Sequence, residues 1–137
     1  MDNDDGLKKI YDPNADRILR TATAENTDAD VYIVPADHNF YLEEVSLAVE
    51  LDGPTQDGFT YVYWLTSIGV YVRDLCQIWF YAEDKNGGVM DGAFKSDHAI
   101  FPSGLLIPAG DIIVLVSDEA GLLAEGNISG FTVSDYA

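Results

Sequence analysis

Basic residues are scarce in this sequence. Seven Lys and Arg stand against 24 Asp and Glu, which gives a net charge of −17. Because contacts to phosphate groups need clustered Lys and Arg, we expect no direct binding to nucleic acid. Net charges on the surface lie roughly 20 Å apart, beyond the Debye length of about 8 Å at physiological salt, so their repulsion is tolerable. The acidic balance is typical of salt-adapted proteins, and a halophilic origin and an ordinary acidic surface stay open as alternatives.

Cysteine and long apolar runs are nearly absent as well. The one cysteine, Cys76, lies in an apolar run, so we expect a reduced, buried thiol and no disulfide. No stretch approaches the roughly 18 consecutive apolar residues of a membrane-spanning helix. The first residues, Met1–Pro13, are charged and contain no apolar segment of the signal-peptide kind. We therefore expect no membrane association.

The residues that most often carry catalysis or hold a metal form no recognisable motif. His38 and His98 each stand beside an Asp in a predicted loop, and the closely spaced histidines of metal-binding cupins are missing. The acidic stretch Glu83–Gly87 lacks the ligand spacing of an EF-hand, and its Asn-Gly pair predicts a tight hairpin instead. Neighbouring Glu43 and Glu44 would point to opposite faces of a strand, so they are not a catalytic pair. With no nucleophile elbow and no phosphate-binding glycine loop, we predict a non-enzymatic protein without cofactor or metal.

β-Forming residues, by contrast, are abundant. The chain is 47% hydrophobic, which excludes a disordered protein, and aromatic and β-branched residues dominate the strand-like runs. Short strands at regular spacing predict an all-β, single-domain antiparallel sandwich or barrel of about eight strands. The domain is predicted over residues 15–137, after a flexible acidic N-terminal arm over residues 1–14. Strands are predicted over residues 31–34, 40–51, 59–66, 70–82, 104–107, 111–117 and 128–133, with a further strand favoured over 16–25. Loops are predicted over residues 26–30, 89–99 and 119–126.

The segment Phe101–Glu119 is the most informative part of the pattern. Two strands, Gly104–Ile107 and Asp111–Ser117, are joined by a Pro-Ala-Gly-Asp turn in which Gly110 takes the positive φ of the corner. The apolar run of residues 112–116 has no polar alternation, so both faces of that strand are predicted to be covered.

The predicted strand over residues 40–51 shows the alternation of a half-buried antiparallel strand. Val45, Leu47, Val49 and Leu51 face one side, and Glu44, Ser46, Ala48 and Glu50 face the other. Phe40 and Leu42 lie out of phase with the first set, which predicts either a β-bulge or a covered strand end near Glu43.

The strands over residues 59–66 and 70–82 carry aromatic residues on both faces. A two-layer sandwich needs only one face of each strand for its core, so a monomer would expose an unusually large apolar patch. The candidates for a subunit interface are Tyr61, Tyr63, Trp79 and Tyr81, with either Trp79 and Tyr81 or Tyr61 and Tyr63 at the contact. The alternative is a carbohydrate-binding module or viral adhesin, in which Trp64 joins Trp79, Tyr61 and Tyr63 in a sugar-stacking platform.

Two segments resemble a known group of proteins. VYIVPADHNFYLEEVSLAVE (Val31–Glu50) and FPSGLLIPAGDIIVLVSDEAGLLAEGNISGFTVSDYA (Phe101–Ala137) resemble small jelly-roll virion proteins of tailed bacteriophages and archaeal viruses. The shared features are a "VPA…FYL" start, an "LPAGD" hairpin and a final "ISGY-V" strand. The resemblance implies a single-domain antiparallel β-sandwich of the jelly-roll type. It further implies a capsid decoration, head-fibre or tail accessory protein, located in the virion. It also implies a homo-oligomer, usually a trimer, that contacts other virion proteins such as the major capsid protein. No site residues transfer, because such proteins act through surfaces.

Overall fold

The computed structural model describes residues 15–51, 58–80 and 94–134. These residues form eight β-strands in two four-stranded antiparallel sheets, which confirms the predicted all-β sandwich. The strands are β1 (Ala15–Ala24), β2 (Thr27–Ile33), β3 (His38–Leu51), β4 (Gly58–Leu65), β5 (Tyr71–Phe80), β6 (Phe94–Ile107), β7 (Ile112–Ser117) and β8 (Leu122–Ser134). Within the described ranges, no helix has the length and hydropathy that crossing a bilayer requires. The predicted arm over residues 1–14 and the hairpin at Glu83–Gly87 lie outside the described residues.

The strand pairing is nested along the chain. One sheet has the order β1-β8-β3-β6 and the other the order β2-β7-β4-β5. The pairs β1 with β8, β2 with β7, β3 with β6 and β4 with β5 match the first half of the chain to the second half in reverse. Two further antiparallel pairs, β3 with β8 and β4 with β7, complete the two sheets.

The long strand β3 supplies the centre of the core, as its alternation predicts. Leu47 and Leu51 are 1% exposed, whereas Glu44 and Glu50 point away from the core and are exposed. Of the two predicted alternatives, the bulge is the one present, because the pairing of β3 with both neighbours shifts between Leu42 and Glu44. The shift brings the side chains before the bulge onto the core side. The core residues of β3 are Phe40, Leu42, Val45, Leu47, Val49 and Leu51.

The two segments that carry the resemblance lie side by side. Gly110 has the predicted positive φ, 85°, and the amide of Asp111 donates a hydrogen bond to the carbonyl of Pro108 at 3.2 Å. Val34 pairs with this turn in both directions: its amide donates to Asp111 O at 3.0 Å, and its carbonyl accepts from Gly110 N at 2.9 Å. The "VPA" and "PAGD" motifs therefore form one hydrogen-bonded unit at one end of the sandwich.

Strand β7 is covered on both faces, as its unbroken apolar run predicts. Ile113 and Leu115 face the other sheet and are 0% exposed, while Val114 points outward and is only 3% exposed. Its neighbours across the outer face are Asp30 on β2 and Tyr63 on β4.

Three predicted loops are wrong in whole or in part. Residues 94–99 belong to β6, residues 122–126 to β8 and residues 27–30 to β2. Strands β2 and β6 are sheet edges with mostly exposed polar residues over these stretches, so they show no clear alternation. In β8 the inward positions include the small residues Ala124 and Gly126, which weaken the apolar signal. The favoured strand over residues 16–25 is confirmed as β1.

The glycine of the segment Ile128-Ser129-Gly130-Phe131 is required by close packing against β3. A Cβ at this position would overlap the backbone carbonyl of Tyr41 and lie 2.9 Å from carbon atoms of the Phe40 ring. Residue 130 is opposite Leu42, next to the bulge of β3. A glycine is needed here because the neighbouring strand and its ring approach the backbone too closely for any side chain.

Candidate interaction surface

The outer face of the sheet β2-β7-β4-β5 carries a row of aromatic side chains. On β4, Thr60 and Val62 point into the core with no exposure, so the residues between and beside them point outward. We call the resulting set the aromatic face. It consists of Phe59, Tyr61 and Tyr63 of β4 together with Tyr71 and Trp79 of β5.

The rings of the aromatic face contact one another in a continuous series. Phe59 stacks on Trp79 at a centroid distance of 4.8 Å and on Tyr61 at 5.2 Å, with interplanar angles of 23° and 17°. Tyr61 and Tyr63 follow at 5.1 Å, and Tyr63 and Tyr71 at 6.3 Å. At these distances and small angles, the face of each stacked ring is turned toward its neighbour. Each ring of the aromatic face therefore packs against at least one other ring of the same face.

Carboxylates border this face on both sides. The strand register sets two rows across the sheet, Asp28–Val116–Tyr61–Gln77 and Asp30–Val114–Tyr63–Asp74. Each row has an apolar and aromatic middle, with an exposed aspartate at its β2 end. The second row also ends in an aspartate on β5, so Tyr63 lies between two negative charges.

These carboxylates make the electrostatic potential around Tyr61 and Tyr63 negative. Burial raises the pKa of Tyr61, and the charges of Asp74, Asp118 and Asp28 raise it further. Burial likewise raises the pKa of Tyr63, with contributions from Tyr61, Asp28 and Asp30. Both phenols stay protonated near neutral pH, and their surroundings favour positive charge in any molecule that approaches.

A second apolar surface adjoins the aromatic face at the sheet edge. The tip between β4 and β5 and the first residues of β5 expose large apolar side chains, and Trp79 exposes another near the far end of β5, which is the outermost strand of its sheet. We call this surface the apolar edge. It consists of Ile68 (84% exposed), Val70 (54%), Tyr71 (56%), Val72 (39%) and Trp79 (45%).

The structure brings together three of the four interface candidates. Tyr61, Tyr63 and Trp79 lie on the aromatic face, while Tyr81 lies outside the described residues. Trp64 is placed wrongly in the predicted sugar platform, because it points to the opposite side of β4 and packs against the core. Its indole Nε1 donates a hydrogen bond to Asp111 Oδ2 at 2.8 Å.

Cys76 is a buried thiol, as expected. It is 5% exposed, and its Sγ donates to Asp97 Oδ2 at 3.4 Å, which links β5 to β6. Burial raises the pKa of Cys76 to about 12, and the charge of Asp97 acts in the same direction. Because the thiolate is the reactive form, this thiol is chemically inert at neutral pH.

The histidines do not come together in a recognisable site. His38 bonds its own turn, with Nδ1 at 2.9 Å from Ala36 O, and its Nε2 lies 3.4 Å from Ser134 Oγ. His98 is exposed on β6 and does not lie in a loop as predicted. Across residues 15–51, 58–80 and 94–134, no group of three or more His, Cys, Asp and Glu is arranged to hold a metal ion.

Comparison with known proteins supports the fold. No protein-family model and no curated protein matches the chain. A chain in the acidic stable capsid structure of Helicobacter pylori bacteriophage KHP30 aligns with a TM-score of 0.53 and 12% identity, over 85% of this chain and 92% of that one. A chain of the disulfide-linked pili of Bacillus endospore appendages aligns with a TM-score of 0.40 and 15% identity, over 88% and 86%. A pentameric capsid protein from metagenomic phage sequences also gives a TM-score of 0.40, with 14% identity over 85% and 60%. The first alignment shows a shared antiparallel β-sandwich; the other two are too distant to add to it.

Proposed function

We propose that this chain is a non-enzymatic structural protein of a virus particle. In this proposal it is a capsid decoration, head-fibre or tail accessory protein that assembles as a homotrimer and contacts other virion proteins. Two observations support the virion role: the sequence resemblance of Val31–Glu50 and Phe101–Ala137, and a fold shared with a bacteriophage capsid chain at a TM-score of 0.53. The structural observation that best supports the proposed self-association is the apolar edge.

The proposed sandwich type is a jelly roll. In a jelly roll, eight strands form two sheets through two Greek keys. The nested pairs β1–β8, β2–β7, β3–β6 and β4–β5 are those of one long antiparallel hairpin rolled into two layers. The sheet orders β1-β8-β3-β6 and β2-β7-β4-β5 follow from that rolling and support the assignment.

The apolar edge supports a contact between subunits. A single copy would leave Ile68, Val70 and Tyr71 in water at one end of β5, each more than half exposed, and Trp79, 45% exposed, near the other end. Exposed apolar side chains that lie together mark interaction sites, and cyclic symmetry lets every copy cover the same surface. Between the two predicted contacts, this favours the Trp79 side over Tyr61 and Tyr63, which are already half-buried by their neighbours.

A carbohydrate-binding module receives less support. Sugar rings stack on an open aromatic face, but Phe59 stacks on both Trp79 and Tyr61. Trp64, the other tryptophan of the predicted platform, is turned to the core. A glycan array with the purified protein tests this alternative directly.

The virion role is tested on purified virus particles from the source of the gene. We expect mass spectrometry to detect the chain at a fixed ratio to the major capsid protein, and immunogold labelling to find it on the particle surface. Detection in infected cells but not in purified particles would contradict the proposal.

A further inference from the structure

The centre of the aromatic face combines apolar contact area with negative charge. In the row Asp30–Val114–Tyr63–Asp74, neighbouring strands are about 4.8 Å apart. A carboxylate therefore lies one strand from Tyr63 on one side and two strands away on the other. The adjacent row has a carboxylate at its β2 end only, where Asp28 lies beyond Val116 from Tyr61, and Gln77 at its β5 end.

A surface of this kind matches a specific partner chemistry. Arginine and lysine side chains pack their aliphatic stems along apolar surface and extend a charged head group. On this face, the stems would lie over Tyr61 and Tyr63 and the head groups would reach Asp28, Asp30 and Asp74. Arginine is favoured because its planar guanidinium pairs with a carboxylate through two hydrogen bonds. A neutral apolar partner would leave the carboxylates partly desolvated without a counter-charge.

The described residues of a second copy do not offer this chemistry. Two copies joined face to face would place the aspartates of one opposite the aspartates of the other, which is repulsive. The four basic side chains of the described residues each contact a group of their own copy. These contacts are Arg17 with Glu43, Arg20 over the Tyr32 ring at 5.3 Å, Arg73 over the Phe101 ring at 5.6 Å and Lys95 Nζ with Trp79 O at 2.9 Å.

We propose that the Tyr61–Tyr63 surface, bordered by Asp28, Asp30 and Asp74, docks an arginine- or lysine-bearing segment of a different protein. This proposal does not depend on the subunit contact at the apolar edge, which the docking surface adjoins at Asp74 on β5. If both exist, one copy binds its sister copies through the β5 side of the sheet and a basic partner through its centre.

The test is a binding titration of the full chain with labelled synthetic peptides. One peptide alternates Arg with Val, and a matched peptide alternates Glu with Val. We expect the Arg peptide to bind, more weakly as salt is added, and the Glu peptide not to bind. Equal binding of both peptides would overturn the proposal.

Two charge variants locate the site. Asp28→Asn with Asp30→Asn removes two charges from the proposed surface, and Glu50→Gln with Glu125→Gln removes two exposed charges from the other sheet. Because both pairs change the net charge equally, they separate local from overall attraction. We expect the first pair to weaken Arg-peptide binding about five- to tenfold and the second pair less than about twofold. Equal weakening by both pairs would show diffuse attraction to an acidic protein and overturn the proposal.

A third variant tests whether a second copy occupies the surface. Tyr61→Ser shortens a side chain at the centre of the proposed contact, and its circular dichroism spectrum shows whether the fold is retained. We expect it to weaken Arg-peptide binding and to leave the native mass of the protein unchanged. Loss of self-association in this variant, with peptide binding unchanged, would assign the surface to a second copy and overturn the proposal.

Discussion

The indole of Trp64 donates a hydrogen bond from Nε1 to Oδ2 of Asp111, with 2.8 Å between the two atoms. The other carboxylate oxygen, Oδ1, accepts from the backbone amide of Ser67 at 3.1 Å. Asp111 is 7% exposed and stands at the end of the turn that enters β7. One buried carboxylate thus ties that turn to the end of β4 and to the tip that carries the apolar edge.

Removing this carboxylate is expected to destabilise the protein. Asp111→Ala leaves the Trp64 indole and the Ser67 amide without their acceptor, so we expect the free energy of unfolding to fall by about 3 kcal/mol. Trp64→Phe keeps an aromatic ring and removes only the indole donor, so we expect a fall of about 1–2 kcal/mol. Urea denaturation measures both. The exposed control Asp16→Ala should change stability by no more than about 0.5 kcal/mol. The double variant Asp111→Ala with Trp64→Phe tests whether the two residues interact directly. A loss in the free energy of unfolding equal to the sum of the two single losses would contradict a direct interaction.

Gly130→Ala is expected to be among the most damaging small substitutions in the chain. The added methyl group overlaps the carbonyl of Tyr41 and lies 2.9 Å from the Phe40 ring, so a strand must move. We expect a loss on the order of 3 kcal/mol in the free energy of unfolding, measured by thermal or urea denaturation. In the matched control Gly126→Ala, the methyl group meets the end of the Val62 side chain at 3.3 Å. The control should cost clearly less, and an equal loss in both variants would count against this account of Gly130.

Alkaline pH is expected to weaken the fold through Cys76. The folded protein raises the pKa of this thiol from 9.0 to about 12, so only the unfolded chain loses the proton as the pH passes 9. The stabilising contribution of the protonated thiol is therefore complete below pH about 9 and is lost as the pH rises toward about 12. Buried tyrosines such as Tyr32, whose pKa is also raised, act in the same direction.

The variant Cys76→Ala isolates the thiol's part. Although it lowers stability at neutral pH through lost packing, its stability should fall less steeply above pH 9 than that of the wild type. In the native wild type we expect a thiol reagent to react only as fast as the protein opens. Rapid modification of the folded protein at neutral pH would contradict the buried, protonated state.

Salt is expected to stabilise the protein. With 24 acidic and seven basic residues, added ions screen more repulsion than attraction. The thermal midpoint should therefore rise from low to molar salt, as followed by circular dichroism. A midpoint that stays constant or falls would remove the case for salt adaptation and leave the fold untouched.

The parts of the fold that the sequence predicts are those with a strong periodic signal. Strand β3 alternates cleanly, and its bulge is one of the two alternatives that follow from Phe40 and Leu42 lying out of phase with Val45. The corner at Gly110 follows from local turn chemistry alone. Edge strand β6 is different, because residues such as Ser96 and Asp97 are exposed and have a strand neighbour on one side only. Its structure depends on pairing with β3, which no local pattern encodes.

The sequence also does not predict which aromatic side chains lie on the outer face of the sheet. Alternation along β4 separates Tyr63 from Trp64, but the sequence does not say which of the two faces the core. The answer depends on Asp111, distant in the chain, which holds the Trp64 indole. The acidic border is likewise invisible in the sequence, since Asp30 and Asp74 reach either side of Tyr63 only through the strand register.

The measurement that tests the assembly claim most directly is the native mass of the full chain by sedimentation equilibrium. We expect a trimer for the wild type and folded monomers for the double variant Tyr71→Ser with Trp79→Ser, which removes two exposed rings of the apolar edge. The matched variant Tyr61→Ser with Tyr63→Ser changes the same face away from that edge and should stay trimeric. A wild type that sediments as a monomer at high concentration would contradict the account.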